Sequence, residues 1–234
     1  NVGGFKSRPS KIISVFEFVK NLDVIIFQET HFSAINDFFF FEQVFRSNFF
    51  IFHSLAHEKF SGVCTLFNKK VFEEKFTTEL DIAGRCLAIS LSYSGFAFLF
   101  VCIYAPAQPI ARQKFFENLS GRIQFVTSLK KFSELIFIGD FNFVEDPSVD
   151  RFPKRKKTVK FEPGFQQFSE IKAHFSLKEQ NCKNDPLKRI YTFDSSFHSM
   201  SRIDRIYVTP GLYEDFSNMA TEKIVSLQHK LLKV

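Results

Sequence analysis

The chain has no tryptophan, and none of its four cysteines stands in a CxxC pair. Cys64, Cys86, Cys102 and Cys182 therefore suggest no zinc site. Three of them sit inside apolar runs of strand length, where reduced core thiols of an intracellular protein are expected. No apolar run approaches the ~20 residues that a membrane-spanning helix needs. Neither a charged-then-apolar leader, an internal repeat nor a low-complexity linker interrupts the 234 residues. A membrane span, a secretory leader, a disulfide scaffold and a solenoid are thus not what the sequence describes. Because the chain opens at Asn1, it reads as a domain excised from a longer polypeptide.

What is present fits a folded enzyme-sized body. Apolar residues make up 45% and the mean hydropathy is -0.05, enough to fill one core, so a single domain over 1–234 is expected. The net charge of +6 and a pI near 9.1 suit a polyanionic partner without identifying one. Phenylalanine is heavily over-used, at 35 residues, and Phe38 to Phe41 form an unbroken run.

Short apolar runs alternate with longer amphipathic ones. Pro9 and Ser10 precede a helical spacing of Ile12, Phe16 and Val19, which predicts a helix over 11–21. Continuous apolar runs predict strands at 23–27, 62–67, 86–91, 96–104, 135–139 and 203–208, with Ser94-Gly95 as a turn between two antiparallel strands. Further strands are expected near 190–193 and near Val225 or Leu231. Phe115, Leu119, Ile123 and Val126 share one face of a helix over 112–129, and a shorter helix is expected around 165–173. Mixed pairing with intervening helices argues an α/β sandwich rather than a doubly wound parallel sheet.

Polar residues collect at the ends of these strands: Glu29, Asp140, Asn142 and Asp204, with His229 near the C-terminus. Carboxylates at strand ends are what a hard, oxygen-seeking cation such as Mg²⁺ requires. In Gly139-Asp140-Phe141-Asn142 a glycine permits a tight turn while an acid and an amide two residues apart project to the same side. The plainer reading is an Asx-type turn. For Glu29 the plainer reading is a solvated loop acid, for Tyr104 an aromatic at the core's edge before Pro106, and for His229 a solvent-facing or internally satisfied imidazole.

The ordered set of motifs decides between these readings. Asn1-Val-Gly-Gly, Gln28-Glu29-Thr30-His31, Ile103-Tyr-Ala-Pro106, Gly139-Asp-Phe-Asn142, Asp150-Arg151, Tyr191-Thr192, Ser201-Arg-Ile-Asp-Arg205 and His229 span essentially the whole chain. Together they resemble the endonuclease/exonuclease/phosphatase superfamily and, within it, the apurinic-endonuclease-like domain of non-LTR (LINE-type) retrotransposons. The resemblance implies a DNase I-like fold, a four-layered α/β sandwich of two mixed sheets flanked by helices. It also implies an Mg²⁺-dependent endonuclease, with Mn²⁺ as an alternative ion, that nicks double-stranded DNA and leaves a 3′-hydroxyl primer for target-primed reverse transcription. A reverse transcriptase domain of the same polyprotein, action in the nucleus and no membrane partner follow from the same resemblance.

Residue by residue, the resemblance makes Glu29 the principal metal ligand, supported by Asn1 and Gln228. Asp140 would deprotonate the attacking water with Asn142 beside it. His229, oriented by Asp204, would stabilise charge on the phosphorane, and Tyr104 would hydrogen-bond the scissile phosphate. DNA contacts are expected from Arg151, Thr192, Ser201, Arg202 and Arg205, and from a hairpin over 194–201 carrying Phe197 and His198. The basic stretch that includes Lys154 and Arg155 is a further candidate, with a solvated charge run as its alternative. Three positions depart from the family pattern: Gln228 replaces an aspartate, Gly3 a second amide or acid, and Phe193 a tryptophan. An abasic-site repair endonuclease and a catalytically impaired nucleic-acid-binding relative stay open as alternatives; a lipid phosphatase of the same fold fits less well, because nothing resembles lipid-facing loops.

Overall fold

Helix and strand signals in the sequence translate into a chain of two compact units, Asn1–Tyr104 and Ala105–Val234. No composition break marks this division. The computed structural model describes residues 1–153, 162–180, 190–195, 199–214, 220–222, 229 and 231–233.

The first unit begins with α1 (Pro9–Val19) and β1 (Val24–Gln28), followed by α2 (Ile35–Phe45), β2 (Phe49–Ser54) and β3 (Val63–Asn68). Strand β3 lies between β1 and β2, antiparallel to both, and all six of its residues are buried. That explains its unbroken apolar character. A second run of antiparallel strands follows: β4 (Phe76–Ile82), β5 (Cys86–Tyr93) and β6 (Phe96–Tyr104). Ser94 and Gly95, at φ +49° and +83°, form the tight turn that joins β5 to β6.

The second unit contains α3 (Pro109–Leu129), β7 (Glu134–Asp140), α4 (Pro147–Asp150), β8 (Arg151–Phe152), α5 (Phe165–His174) and β9 (Lys178–Glu179). It continues through β10 (Phe193–Asp194), β11 (Met200–Ser201), β12 (Asp204–Val208), α6 (Pro210–Tyr213), β13 (Ala220–Glu222) and β14 (Leu231–Lys233). Strand β12 runs antiparallel between β7 and β9, β11 lies between β10 and β8, and β13 pairs with β14. The α/β class expected from the sequence is the class observed. No helix among the described residues is long and apolar enough to cross a membrane.

Phenylalanine fills both cores. In the first unit Phe5, Phe27, Phe32, Phe41 and Phe45 are buried in mutual contact, with Phe41 stacked on Phe45 at 4.4 Å and Phe5 edge-on to Phe27 at 5.2 Å between ring centroids. In the second, Phe141 meets Phe168 at 4.9 Å and Phe168 meets Tyr207 at 4.8 Å. Such pairs contribute about 0.5–1.5 kcal/mol each beyond the area they bury. Cys64, Cys86 and Cys102 are free and fully buried, as expected of reduced core thiols; Cys182 lies outside the described residues.

The strand expected over 190–193 is confined to Phe193–Asp194. Ile190 is buried by packing, so its apolar character reports the core and not a ladder. Helix α2 and strands β2 and β4 have no counterpart in the sequence reading. The run Phe38 to Phe41 blurs the helical period of α2, and β4 carries exposed polar residues and a bulge between Thr78 and Leu80.

Candidate active site

Antiparallel register brings the acids of the second unit together. In the β7–β12 ladder Asp204 is the direct partner of Asp140 and Arg205 that of Gly139, so the two carboxylates leave adjacent strands at the same level. Gly139 sits at φ +140°, a conformation that side chains rarely tolerate. Asn142 follows in the left-handed region at φ +53°. Its backbone N–H donates to Asp140 Oδ1 at 2.9 Å, which is the Asx-type turn considered above, and its side-chain Nδ2 donates to the Ala105 carbonyl at 2.8 Å. The amide side chain therefore fixes the strand end.

His229 Nδ1 is 2.8 Å from Asp204 Oδ2 and its Nε2 is 3.9 Å from Asp140 Oδ2, with all three residues buried. The Phe193 ring packs on the imidazole at 4.9 Å, and the two residues also form a backbone bridge. Thr192 Oγ1 accepts from the N–H groups of Ile203 and Asp204 at 3.1 and 3.0 Å, which fixes the start of β12.

The electrostatics follow from this burial. Asp140 is pushed up to about 7, first by burial and then by the neighbouring charge of Asp204, with His229 acting in the opposite direction. For Asp204 burial also favours the neutral acid, but the charge and hydrogen bond of His229 outweigh it and hold the carboxyl below its usual range. For His229 burial disfavours the cation, while the Asp204 carboxylate outweighs that and raises the imidazole above its ordinary value. Ligand atoms of Asp140, Asp204 and His229 lie within 4.8 Å of one another. The two neighbouring carboxylates offer the oxygen donors that a hard divalent cation takes, and the imidazole could join them only in its neutral form.

The first unit holds the second group of residues. Strand β1 ends at Gln28, and the chain turns away with Glu29 at φ +55° and His31 at φ +61°. The backbone of residues 2–5 runs alongside: Val2, Gly4 and Phe5 donate to the carbonyls of Gln28, Glu29 and Thr30 at 2.9, 2.7 and 2.9 Å. The Tyr104 hydroxyl, at the end of β6, donates to Glu29 Oε1 at 2.6 Å. Asn1 donates through its backbone nitrogen to Gln28 Oε1 at 2.8 Å, and its side-chain oxygen accepts from Gly3 N–H. His31 packs against Gly4, where an added Cβ would lie 2.5 Å from Nδ1. Its buried Nε2 has no hydrogen-bond partner and stands 3.8 Å from Glu29 Oε2. Burial lowers its pKa, with Glu29 opposing.

Several of the residues expected to contact DNA are buried or engaged within the chain. Arg205 is fully buried and Arg202 is 7% exposed. Arg202 Nε donates to Asp150 Oδ1 at 2.8 Å, Arg205 pairs with Asp150 Oδ2, and both guanidinium groups also engage Glu179. Asp150 additionally accepts the backbone N–H groups of Glu145 and Asp146 at 3.0 and 3.1 Å. These arginines, on either side of Asp204 in the sequence, form an internal ionic knot with Asp150 and Glu179. Thr192 is likewise fully buried and spent on the backbone. Arg151 is a third exposed and paired with Glu162, and Ser201 is half-buried within β11. Lys154, Arg155, Phe197, His198 and Gln228 lie outside the described residues.

Sequence reasoning assigned no role to three residues that the structure makes prominent. Asp150 was legible only as part of a motif, Phe193 only as a departure from tryptophan, and His31 only as the residue two beyond Glu29.

Over residues 1–218 the chain matches the Endonuclease/Exonuclease/phosphatase family, and it belongs to that family. It is 32% identical over 155 residues to the Transposon TX1 uncharacterized 149 kDa protein of Xenopus laevis. That match takes in 64% of this chain and 11% of the transposon protein. Among solved structures, the AP endonuclease LMAP of Leishmania major superposes with a TM-score of 0.76 at 14% identity, covering 99% of this chain and 84% of that one. The APE2 catalytic domain of Xenopus laevis gives 0.73 at 16% identity, covering 100% and 90%. The 3′-5′ exonuclease NExo of Neisseria meningitidis gives 0.75 at 15%, covering 99% and 95%. At these identities the likeness establishes the fold, which is the DNase I-like fold expected from the motifs.

Proposed function

We propose that this chain is a divalent-metal-dependent DNA endonuclease that nicks chromosomal target DNA for a retroelement. The observation that carries the reading is the buried set Asp140, Asp204 and His229, in which one carboxylate sits near neutrality and the other polarises an imidazole. A base with a pKa near the working pH and an adjacent imidazolium are what phosphodiester hydrolysis needs.

In this reading Asp140 accepts a proton from the attacking water, whose oxygen bonds to phosphorus as the bond from phosphorus to the 3′ oxygen breaks. The departing oxygen takes a proton from solvent water to become a 3′-hydroxyl, and the phosphate stays on the 5′ side. His229, charged and held by Asp204, stabilises the phosphoryl oxygens, and Tyr104, whose hydroxyl donates to Glu29 in the free chain, would turn that one proton to the phosphate or the leaving oxygen when DNA is bound. Glu29 would be the principal ligand for Mg²⁺, with Asn1 and Gln228 in support. A bound divalent ion supplies positive charge to the phosphoryl oxygen. Segment 194–201 and the basic stretch after Pro153 are the candidate DNA contacts.

Similarity to a transposon protein supports the retroelement assignment, with target-primed reverse transcription in the nucleus as the process served and a reverse transcriptase as a partner in the same polyprotein. Supercoiled plasmid tests the reaction: nicking that requires Mg²⁺, stops with EDTA and leaves ends a polymerase extends without treatment is expected. Ends that need a phosphatase before extension would count against this chemistry, and strong preference for abasic over intact duplex would favour a repair enzyme.

A further inference from the structure

Arg85 has no part in the reaction described so far, yet it lies against a residue that does. Its guanidinium carbon stands 4.7 Å from the centroid of the Tyr104 ring, and its carbonyl accepts the Tyr104 N–H at 2.8 Å. The outer side of the guanidinium is ion-paired with Glu58, and the Arg85 side chain is 15% exposed. Backbone geometry fixes this placement. Ala83 and Gly84, at φ +38° and +72°, turn the chain between β4 and β5, and a Cβ on Gly84 would lie 2.7 Å from the Leu55 carbonyl oxygen. The Gly84 carbonyl accepts Gly62 N–H at 3.0 Å, while the carbonyls of Gly62 and Ser61 accept Thr30 and His31 N–H at 3.2 and 3.0 Å. One turn therefore holds Glu29 from two directions, through Tyr104 and through the 58–62 loop.

We propose that Arg85 is a positioning residue for the nuclease reaction: it fixes the Tyr104 ring so that the hydroxyl is aimed at Glu29, and its charge over the ring strengthens the phenol as a donor. A cation above an aromatic face withdraws electron density from it, and the flat guanidinium restrains ring tilt more than an ammonium does. This rests on the nuclease reading above. Glu58 is mostly exposed, 71% by its side chain, so removing its partner leaves no buried charge and Arg85→Met should fold.

The experiment combines nicking kinetics of the full chain with NMR of protein labelled with [4-¹³C]tyrosine, in which five tyrosines give five signals and Tyr104→Phe assigns one. Arg85→Met is expected to lower kcat about tenfold with KM for plasmid changed by less than about twofold, and Arg85→Lys to recover part of the loss. In a Tyr104→Phe background the same Arg85→Met change should cost less than about twofold, because its effect passes through the missing hydroxyl. The Tyr104 signal should move in Arg85→Met and return partway in Arg85→Lys. Equal fold-losses in both backgrounds, or an unmoved Tyr104 signal, would overturn the proposal. A wild-type chain that nicks nothing with Mg²⁺ would overturn the nuclease reading instead, and the NMR signal would still decide whether Arg85 sets the ring.

Discussion

The two units hold their acidic residues by different means. In the first, Glu29 stands just past a strand end in a left-handed conformation, held by backbone hydrogen bonds and one phenol. In the second, Asp140 and Asp204 are partners within a ladder, fully enclosed and braced by the knot of Asp150, Arg202, Arg205 and Glu179. Enclosed acids cost much, and the ionic knot beside them ties the start of β12 to Asp150.

That contrast can be broken at its strongest point by Asp204→Ala. Without the carboxylate His229 loses the partner that raises its pKa, and nicking should fall by about a thousandfold while the circular dichroism spectrum is kept. A loss under tenfold would mean that His229 does not depend on Asp204.

The next effect is structural. Asp150→Ala strands two buried guanidinium groups and two backbone donors, and breaking such a buried pair costs about 3–5 kcal/mol. Urea unfolding of the variant should show this as a lowered midpoint with an unchanged slope. A midpoint close to wild type would show the knot to be energetically idle, and Arg202 and Arg205 would then be free for another role.

A smaller effect has the opposite sign. Because Asp140 is raised to about 7, mainly by burial, the folded chain holds a proton that an unfolded carboxyl with a pKa of 3.8 releases. Its contribution is therefore full below 3.8 and falls away as pH rises through about 7. In EDTA, Asp140→Asn should raise Tm most at pH 8, less at pH 5, and leave it nearly unchanged below pH 3.8. A variant less stable than wild type at pH 8 would reverse the account of this carboxylate.

How much could be read beforehand follows the same division. Continuous apolar runs announced β1, β3, β5, β6, β7 and β12 to within two residues at either end, because buried strands need no alternation to be recognised. Helix α2 was hidden by a run of phenylalanines with no polar face, and β4 by polar side chains on a partly exposed strand. Strand-end acids and the histidine were legible as an ordered motif set. Their neighbours were not: whether Arg205 meets DNA or Asp150 depends on tertiary contacts 55 residues apart, which no local pattern encodes. Nor does the sequence around Arg85 signal that its guanidinium lies on Tyr104.

Plasmid nicking by Asp140→Ala, His229→Ala and the double variant tests most directly the proposal that the buried carboxylate and imidazole act together in one hydrolysis. Groups that act as one catalytic set are strongly non-additive. Each single change should reduce Mg²⁺-dependent nicking to a common low floor, with the double variant no lower. Losses that multiply in the double variant, or single variants as active as wild type, would contradict it.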